Sequence, residues 1–310
     1  MKKFFLFILF VTLFTSVAFA DESASEKLYN LAADENATAS QIKALIEAGA
    51  DVNFRNAGVN GQTALMLACE YRNYEAAKIL LEYGADPNMK FGYDGSTVLM
   101  DCLTSERDEL SPETREFIKV LIKAGADVNL KDDFNSFPLI FAAEDTEAIK
   151  ILLDAGADVN ARNDEGETVL IRAAAFNQNP DSIKILLDAG ADLNAKDENG
   201  MNALIRAAGS NENPEITKIL IHAGLNVNSR DNERKTPLIW AATGLIEDLD
   251  GIGNPEIVKI LLQAGANPEL KDKYGQTALD HAREENIEQV KKILEDFAKS
   301  KKNKNSKKSR

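Results

Sequence analysis

Residues 168–194 read TVLIRAAAFNQNPDSIKILLDAGADLN, and this stretch decides the fold. Asn179 and Pro180 place a helix-capping residue before proline, which is favoured at the first position of a helix. Ile183 and Leu186 follow at helical spacing, and Gly190 can adopt the left-handed backbone that commonly ends a helix. The segment before Asn179 carries leucine and alanine on one face. We therefore predict a short first helix, a loop, a second helix and then a polar turn.

The end of this stretch, AGADLN, recurs in related forms along the chain. Seven glycines occupy the equivalent position: Gly49, Gly84, Gly125, Gly156, Gly190, Gly224 and Gly265. They are separated by 35, 41, 31, 34, 34 and 41 residues. A period in the low thirties that returns this often indicates a stack of helix–loop–helix repeats.

The predicted first helices share a second signal. The segments read TALMLA at 63, TVLMDC at 97, FPLIFA at 137, TVLIRA at 168, NALIRA at 202, TPLIWA at 236 and TALDHA at 277. They resemble the T-P-L-H-x-A signature of the ankyrin repeat family, except that the family's histidine is replaced by Met, Ile or Asp. The resemblance covers about 23–297. It implies an all-α repeat solenoid of stacked helix–loop–helix repeats joined by short hairpin-like turns.

The resemblance also sets the predicted organisation of the chain. Counting a cap at each end, 21–297 holds about eight repeats. Two longer connections, at 104–111 and 243–254, interrupt the pattern, and both sequence drift and a functional role remain open for them.

The first twenty residues have the pattern of a secretory signal peptide. Lys2 and Lys3 precede an apolar run at 4–14, and Ala18-Phe19-Ala20 offers a cleavage site of small residues. The alternative is a membrane anchor, but the apolar run is shorter than the ~20 residues that a spanning helix needs. We therefore expect 1–20 to be removed and the protein to be exported, to the periplasm or outside the cell. The form of the signal is typical of bacteria.

The C-terminal segment 298–310 is expected to be a disordered basic tail. It contains seven basic residues and no acidic ones, and such low-complexity segments cannot bury enough apolar surface to fold. A weak contact between this tail and an anionic envelope surface is one role for it.

Charge and residue types exclude several classes of function. The whole chain has a formal charge of −14, and 21–297 alone carries 27 basic against 50 acidic residues. An acidic body repels phosphate backbones, so we expect no nucleic-acid partner. The two histidines, the two cysteines and the absence of catalytic or phosphate-binding motifs predict no enzyme activity, no cofactor and no metal site.

The cysteines occupy small-residue positions in neighbouring first helices. Cys69 lies six residues after Thr63, and Cys102 lies five residues after Thr97. We expect two buried free thiols. A disulfide requires Cα atoms within about 7 Å, closer than neighbouring helices usually approach, although the one-residue offset could close the gap.

A candidate partner-binding surface follows from helical phase. Counting from the residue before each first helix as zero, positions +2, +5, +6 and +9 point toward the core, and +4, +7 and +8 point away from it. In ankyrin repeats this outer side of the first helix, with the tips of the turns, forms a concave groove that binds partners. The predicted groove residues are Leu67, Tyr71, Tyr93, Phe134, Phe141, Arg172, Phe176, Arg206, Trp240 and Tyr274.

Two functions fit these observations. The first is a non-enzymatic protein–protein interaction module that binds an unidentified partner protein along the groove, because Trp, Tyr and Arg dominate interface hot spots. The second is a structural spacer tethered to the envelope by its basic tail. The sequence names neither the partner nor the oligomeric state.

Overall fold

A computed structural model describes residues 23–34, 36–104, 110–244, 253–285 and 287–308, with side chains up to residue 301. These residues form sixteen α-helices and one short 3₁₀ helix, Ala57–Val59. They carry no β-strand beyond two isolated bridges at turns. The predicted all-α repeat architecture is confirmed. None of the helices in the described ranges is long and apolar enough to cross a membrane.

The chain divides into two compact units. Unit 1 comprises 1–102 and 123–126, and unit 2 comprises 103–122 and 127–310. The helices of unit 1 are α1 (Ala24–Ala32), α2 (Ala39–Glu47), α3 (Ala64–Glu70), α4 (Tyr74–Glu82) and most of α5 (Val98–Thr104). Those of unit 2 are most of α6 (Pro112–Lys123), then α7 (Pro138–Phe141), α8 (Thr146–Asp154), α9 (Val169–Phe176), α10 (Pro180–Asp188), α11 (Ala203–Ser210), α12 (Pro214–His222), α13 (Pro237–Thr243), α14 (Pro255–Gln263), α15 (Ala278–Glu284) and α16 (Glu288–Lys308).

The helices begin where the capping residues predict. The side chains of Thr63, Thr168 and Thr236 each accept a hydrogen bond from the third backbone N–H of the following first helix. In second helices that start with proline, the side chains of Asn179 and Asn213 accept instead from the second backbone N–H of the helix. A cap of this kind stabilises a helix by about 1 kcal/mol because it satisfies an N–H group that has no partner within the helix.

The second helices end at the predicted glycines, and Gly156 shows why glycine is needed there. Its φ is 88°, in the left-handed region, and an added Cβ would meet no atom within 4 Å. A larger residue at this position would therefore be strained by its backbone conformation alone, and not by lack of space.

The core of each repeat lies between its two helices and the next pair. In unit 2, Leu170 and Ile171 of α9, Leu204 of α11 and Ile183 of α10 are all fully buried. The first helices touch largely through alanines such as Ala207, whose small side chains let helices approach closely.

Polar groups join one repeat to the next along exposed edges. In unit 2, the Asn129 side chain donates to the carbonyl of Gly156 (3.0 Å), and Asn160 donates to that of Gly190 (3.1 Å). At the turn tips, the backbone N–H of Glu198 donates to the carbonyl of Glu165 (2.9 Å). In unit 1, Asn53 donates in the same way to Gly84 (3.3 Å). The asparagine of the recurring phrase therefore binds the helix-ending glycine of the following repeat.

Two buried asparagines continue this pattern inside unit 2. The Nδ2 of Asn177 donates to the carbonyl of Ala143 (2.9 Å), and the Nδ2 of Asn211 donates to the carbonyls of Ala174 (3.0 Å) and Asn177 (2.9 Å). Buried amides are stabilising only when they find such partners. These side chains fix the spacing of successive first helices from within the core.

The structure describes most of the predicted C-terminal tail, but not the predicted signal peptide or most of the two longer connections. The tail predicted to be disordered from 298 is instead helical in the structure, since α16 runs to Lys308. Lysine is a good helix former, no Gly or Pro intervenes, and lysines near a helix C-terminus favour the helix dipole. The signal peptide at 1–20 and most of the 104–111 and 243–254 connections lie outside the described residues.

Candidate partner-binding surface

In three repeats of unit 2, those of α11, α13 and α15, the +4 residue of the first helix faces a carboxylate at the base of the preceding turn. In the repeat of α11, one oxygen of Asp197, Oδ1, accepts from the backbone N–H of Met201 (2.9 Å). The other oxygen, Oδ2, accepts from Nε (3.2 Å) and Nη2 (2.7 Å) of Arg206, the +4 residue. The Asp197 side chain is 2% exposed. Such a buried carboxylate depends on its cation, because an unpaired buried charge is strongly destabilising.

Trp240 occupies the same place in the repeat of α13. Its Nε1 donates to Oδ2 of Asp231 (2.8 Å), while Oδ1 of Asp231 accepts from the backbone N–H groups of Glu233 and Lys235. The ammonium of Lys235 lies 4.3 Å from the indole ring centroid, a cation–π contact. The ring is thus held by its own turn.

His281 repeats the arrangement in α15. Its Nε2 lies 2.9 Å from Oδ2 of Asp272, and Oδ1 of Asp272 accepts from the backbone N–H groups of Tyr274 and Gln276. Burial by itself would raise the pKa of Asp272. The hydrogen bonds from Gln276, His281 and Tyr274 outweigh that effect and hold the pKa below its ordinary value.

The repeat of α9 carries a variant of this pair. Asn163 takes the turn-capping place and accepts from the backbone N–H groups of Glu165 and Glu167. The acidic residue of this repeat is Glu167 instead, and its Oε2 lies 3.4 Å from Nη1 of Arg172. Burial raises the pKa of Glu167, and the nearby Arg172 and Arg206 only partly offset this effect.

Three predicted groove residues therefore have a structural role in unit 2. Arg172, Arg206 and Trp240 are half-buried and bind carboxylates of their own repeats, and Phe141 is half-buried on α7. Helical phase did not show that a long side chain at +4 binds an acid of its own repeat. For Arg206 and Trp240 the signal was an acid nine residues before the +4 residue.

Other predicted residues of unit 2 are exposed. Phe134 and Tyr274 lie at turn tips with 60% and 69% of their surface accessible, and Phe176 lies exposed at the end of α9. The Arg172 guanidinium lies 5.6 Å from the Phe176 ring centroid, and Nζ of Lys273 lies 4.9 Å from that of Tyr274. Large apolar side chains held in solvent at regular positions are typical of binding surfaces.

Unit 1 has a surface of its own. Tyr93, at a turn tip, is 91% exposed, and Tyr71, at the end of α3, is 59% exposed. Leu67 was predicted to join them but is only 8% exposed. Phase describes the faces of one helix, and a neighbouring segment can cover a face that points away from that helix's own core.

The +4 position of α5 in unit 1 holds an acid where unit 2 holds donors. Asp101 is half-buried, and its pKa is raised to about 7, first by burial and then by the charges of Asp94 and Glu70. Glu70 also accepts from the Nε2 of Gln62 (2.7 Å), whose Oε1 accepts from the hydroxyl of Tyr29 (2.7 Å). No pattern in the sequence indicates these hydrogen bonds, which run from buried Tyr29 to exposed Glu70.

No group of histidine, cysteine and acidic side chains in the described ranges is arranged to hold a metal ion. The two histidines do not meet: His281 binds Asp272, and His222 lies exposed at the end of α12.

Comparison with known proteins defines the class to which this arrangement belongs. The family described as "Ankyrin repeats (3 copies)" matches residues 29–132, 110–197, 173–251 and 204–307. The chain therefore belongs to the ankyrin repeat family. Ankyrin repeats generally serve as protein–protein interaction modules, and proteins built from them are typically not enzymes.

Two relatives share shorter stretches of the chain. An ankyrin repeat protein of Acanthamoeba polyphaga mimivirus is 50% identical over 46 residues, which are 15% of this chain and 27% of that protein. The regulatory protein NPR6 of Arabidopsis thaliana is 42% identical over 84 residues, which are 26% of this chain and 18% of that protein. The matched stretch thus spans less than a third of either relative.

Proposed function

We propose that this protein is an exported interaction module that binds a partner protein through the exposed aromatic side chains of its turn tips and first helices. The observation that carries the proposal is the exposure of Tyr93 in unit 1 and of Phe134 and Tyr274 in unit 2, each on a turn fixed by hydrogen bonds. Exposed aromatic residues are enriched among interface hot spots.

Rigid display supports this role. The turn that carries Tyr274 is fixed by the two backbone hydrogen bonds to Asp272 and by the backbone N–H of Lys273, which donates to the carbonyl of Glu233 (2.8 Å). A side chain on an already ordered turn loses little conformational entropy when a partner binds. The proposed contact residues are therefore Tyr71, Tyr93, Phe134, Phe176 and Tyr274. Four half-buried residues are proposed to hold these contact residues in place, namely Arg172, Arg206, Trp240 and Phe141.

The signal-peptide pattern of 1–20 supports export to the periplasm or beyond the cell, and its form supports a bacterial source. N-terminal sequencing of the protein isolated from its own cells tests export. A mature chain that starts near Asp21 in the exported fraction is expected, and an intact Met1 in the cytoplasm would contradict the proposal.

Partner capture tests the binding surface. The full-length protein is cross-linked in its own cells and purified, and captured proteins are compared for the parent, Tyr93→Ala and Tyr274→Ala. Each substitution is expected to weaken capture about thirtyfold, the equivalent of ~2 kcal/mol for a hot spot, without lowering stability.

Tyr83→Ala is the matched control, because Tyr83 is also exposed but ends the second helix α4, away from the turn tips. It should leave capture unchanged. Equal capture by all variants would show that the partner binds elsewhere.

A tethered spacer is the second candidate, favoured by the seven basic residues of 298–310 and the lysines that end α16. Deletion of 298–310 separates the two functions. Loss of envelope retention with intact partner capture supports tethering, whereas unchanged retention removes this candidate.

A further inference from the structure

The two cysteines of the chain lie on consecutive first helices of unit 1. Cys69 belongs to α3 and Cys102 to α5, both side chains are buried, and no disulfide joins them. Counted from the preceding capping residue, they occupy positions +6 and +5. In the repeats of α9, α11 and α13 both positions are alanine, namely Ala173, Ala174, Ala207, Ala208, Ala241 and Ala242. The cysteines therefore replace alanines that are buried where the first helices of unit 2 pack against one another.

The two thiols also act on each other, although they are 33 positions apart in sequence. After burial, a side-chain hydrogen bond with Cys102 is the next largest of the effects that raise the pKa of Cys69. We expected neighbouring helices to hold the two residues too far apart unless the one-residue offset closed the gap. Thiols that hydrogen-bond across two helices lie near enough for small side-chain rotations to bring the sulfur atoms to the ~2 Å of an S–S bond.

We propose that Cys69 and Cys102 are a disulfide-forming pair that covalently joins α3 to α5 when the chain folds in an oxidising compartment. The place of oxidation rests on the proposed export, because exported proteins meet oxidants and cytosolic ones seldom do. The capacity of the pair to form the bond rests on the burial of both thiols at small-residue positions of consecutive first helices, supported by the interaction between them.

The chemistry balances with a disulfide of the form R–S–S–R as the oxidant. The thiolate of one cysteine attacks a sulfur of the oxidant, so that a mixed disulfide forms and R–S⁻ leaves. The thiolate of the other cysteine then attacks the protein sulfur of the mixed disulfide and releases the second R–S⁻. The protein thiols lose two electrons and two protons, and the oxidant is reduced to two R–SH.

Burial determines when this reaction can happen. Burial is the largest of the effects that raise the pKa of Cys69 well above its ordinary value, so the reactive thiolate is scarce in the folded chain. The oxidant must also reach the sulfur. Oxidation is therefore expected to be fast while the chain folds and slow once unit 1 has closed around the reduced pair.

Refolding in a redox buffer tests the proposal. The full-length chain is unfolded in urea with reductant and refolded in a mixture of reduced and oxidised glutathione. It is then alkylated under denaturing conditions, and its mass is measured by mass spectrometry. We expect no alkylated cysteine, and a proteolytic fragment pair linked through Cys69 and Cys102. The disulfide should resist at least a tenfold higher concentration of reduced glutathione in the folded chain than in urea, because the closed loop favours the folded state.

Cys69→Ala and Cys102→Ala are matched controls, since alanine occupies the same positions in other repeats. Each variant should fold, keep one alkylated thiol and lose the redox dependence of its thermal midpoint. Incubation of never-denatured parent protein with oxidised glutathione gives a second measurement that needs no refolding, and slow formation of the same disulfide is expected.

Two alkylated cysteines after both treatments would overturn the proposal. So would a disulfide that is reduced more easily in the folded chain than in urea, because such a bond would be strained by the fold. Neither result bears on partner capture. If instead the disulfide forms in vitro while the protein isolated from its cells is reduced and cytoplasmic, the proposed export fails and the pairing stands.

Discussion

The same helical position has opposite chemistry in the two units. In unit 2, Arg206 at +4 pairs with the buried carboxylate of Asp197. In unit 1, the +4 residue is itself an acid, Asp101, whose nearby charges include those of Asp94 and Glu70. One arrangement makes a buried charge favourable, and the other makes ionisation costly. A shared scaffold therefore leaves the local electrostatics of each repeat to a few side chains.

The largest effect is expected when the unit 2 pair is broken. Arg206→Leu keeps an apolar stem at +4 but leaves Asp197 buried without its cation. Loss of one partner of a buried pair typically costs about 3–5 kcal/mol. The free energy of unfolding, measured by urea denaturation, should fall by that order. A loss below about 1 kcal/mol would show that water replaces the guanidinium.

Removing the charge of Asp101 in unit 1 should raise the free energy of unfolding, whereas breaking the pair in unit 2 should lower it. The pKa of Asp101 in the fold is about 7, above its ordinary value of 3.8, so the fold favours the protonated form. Its contribution to stability is fully present below the unfolded pKa and is lost as pH rises through about 7. Asp101→Asn should therefore stabilise unit 1 at about pH 8.5, by roughly 1–3 kcal/mol, and have little effect near pH 4.

Hydrogen exchange of the parent protein sharpens this contrast. As the pH falls from about 8 to about 5 and Asp101 is protonated, the protection of backbone amides from exchange around α5 should rise. The pKa of Asp272 is lowered in the fold, so its contribution is present above the unfolded pKa and is lost as pH falls through the folded pKa. Protection around α15 should therefore fall in acid. A parallel pH response of both regions would contradict the comparison.

A smaller effect is expected from Trp240→Phe. This change keeps an aromatic ring but removes the Nε1–H that Asp231 accepts. An unsatisfied buried acceptor costs about 1–3 kcal/mol, so the thermal midpoint should fall while partner capture is unchanged. Normal stability with lost capture would return Trp240 to the binding surface.

The smallest effect provides the control. Lys184→Met removes the ion pair with Asp181, in which both side chains are more than half exposed. Exposed pairs contribute about 0–1 kcal/mol, so unfolding should barely change. A loss comparable with that of Arg206→Leu would mean that burial does not explain the difference between the two pairs.

The fold was predictable because its signals are local. The glycine at 156 needs a left-handed backbone whatever surrounds it, and the Asn179-Pro180 pair starts a helix by its own geometry. The site was less predictable because it depends on neighbours. Tyr93, Phe134 and Tyr274, which were predicted at turn tips, are exposed, whereas Trp240 and Arg206 bind acids in their own turns and Leu67 is buried.

Other features need the three-dimensional arrangement altogether. Asn177 and Asn211 stand at +9, which helical phase assigns to the core, but an asparagine is stable there only because backbone carbonyls lie within reach. The interaction between Cys69 and Cys102 joins side chains of two different helices. Neither interaction could be read from sequence spacing alone.

Several polar contacts of unit 2 span the length of one repeat. Asn211 binds the carbonyl of Asn177, Arg162 binds that of Lys196, and Lys196 binds that of Arg230, each across 34 residues. Excision of the 34 residues 173–206 would join Arg172 to Ala207, and Arg162 would then meet the carbonyl of Arg230 in place of that of Lys196. Genetic gain or loss of a whole repeat can therefore lengthen or shorten this region without a change of register.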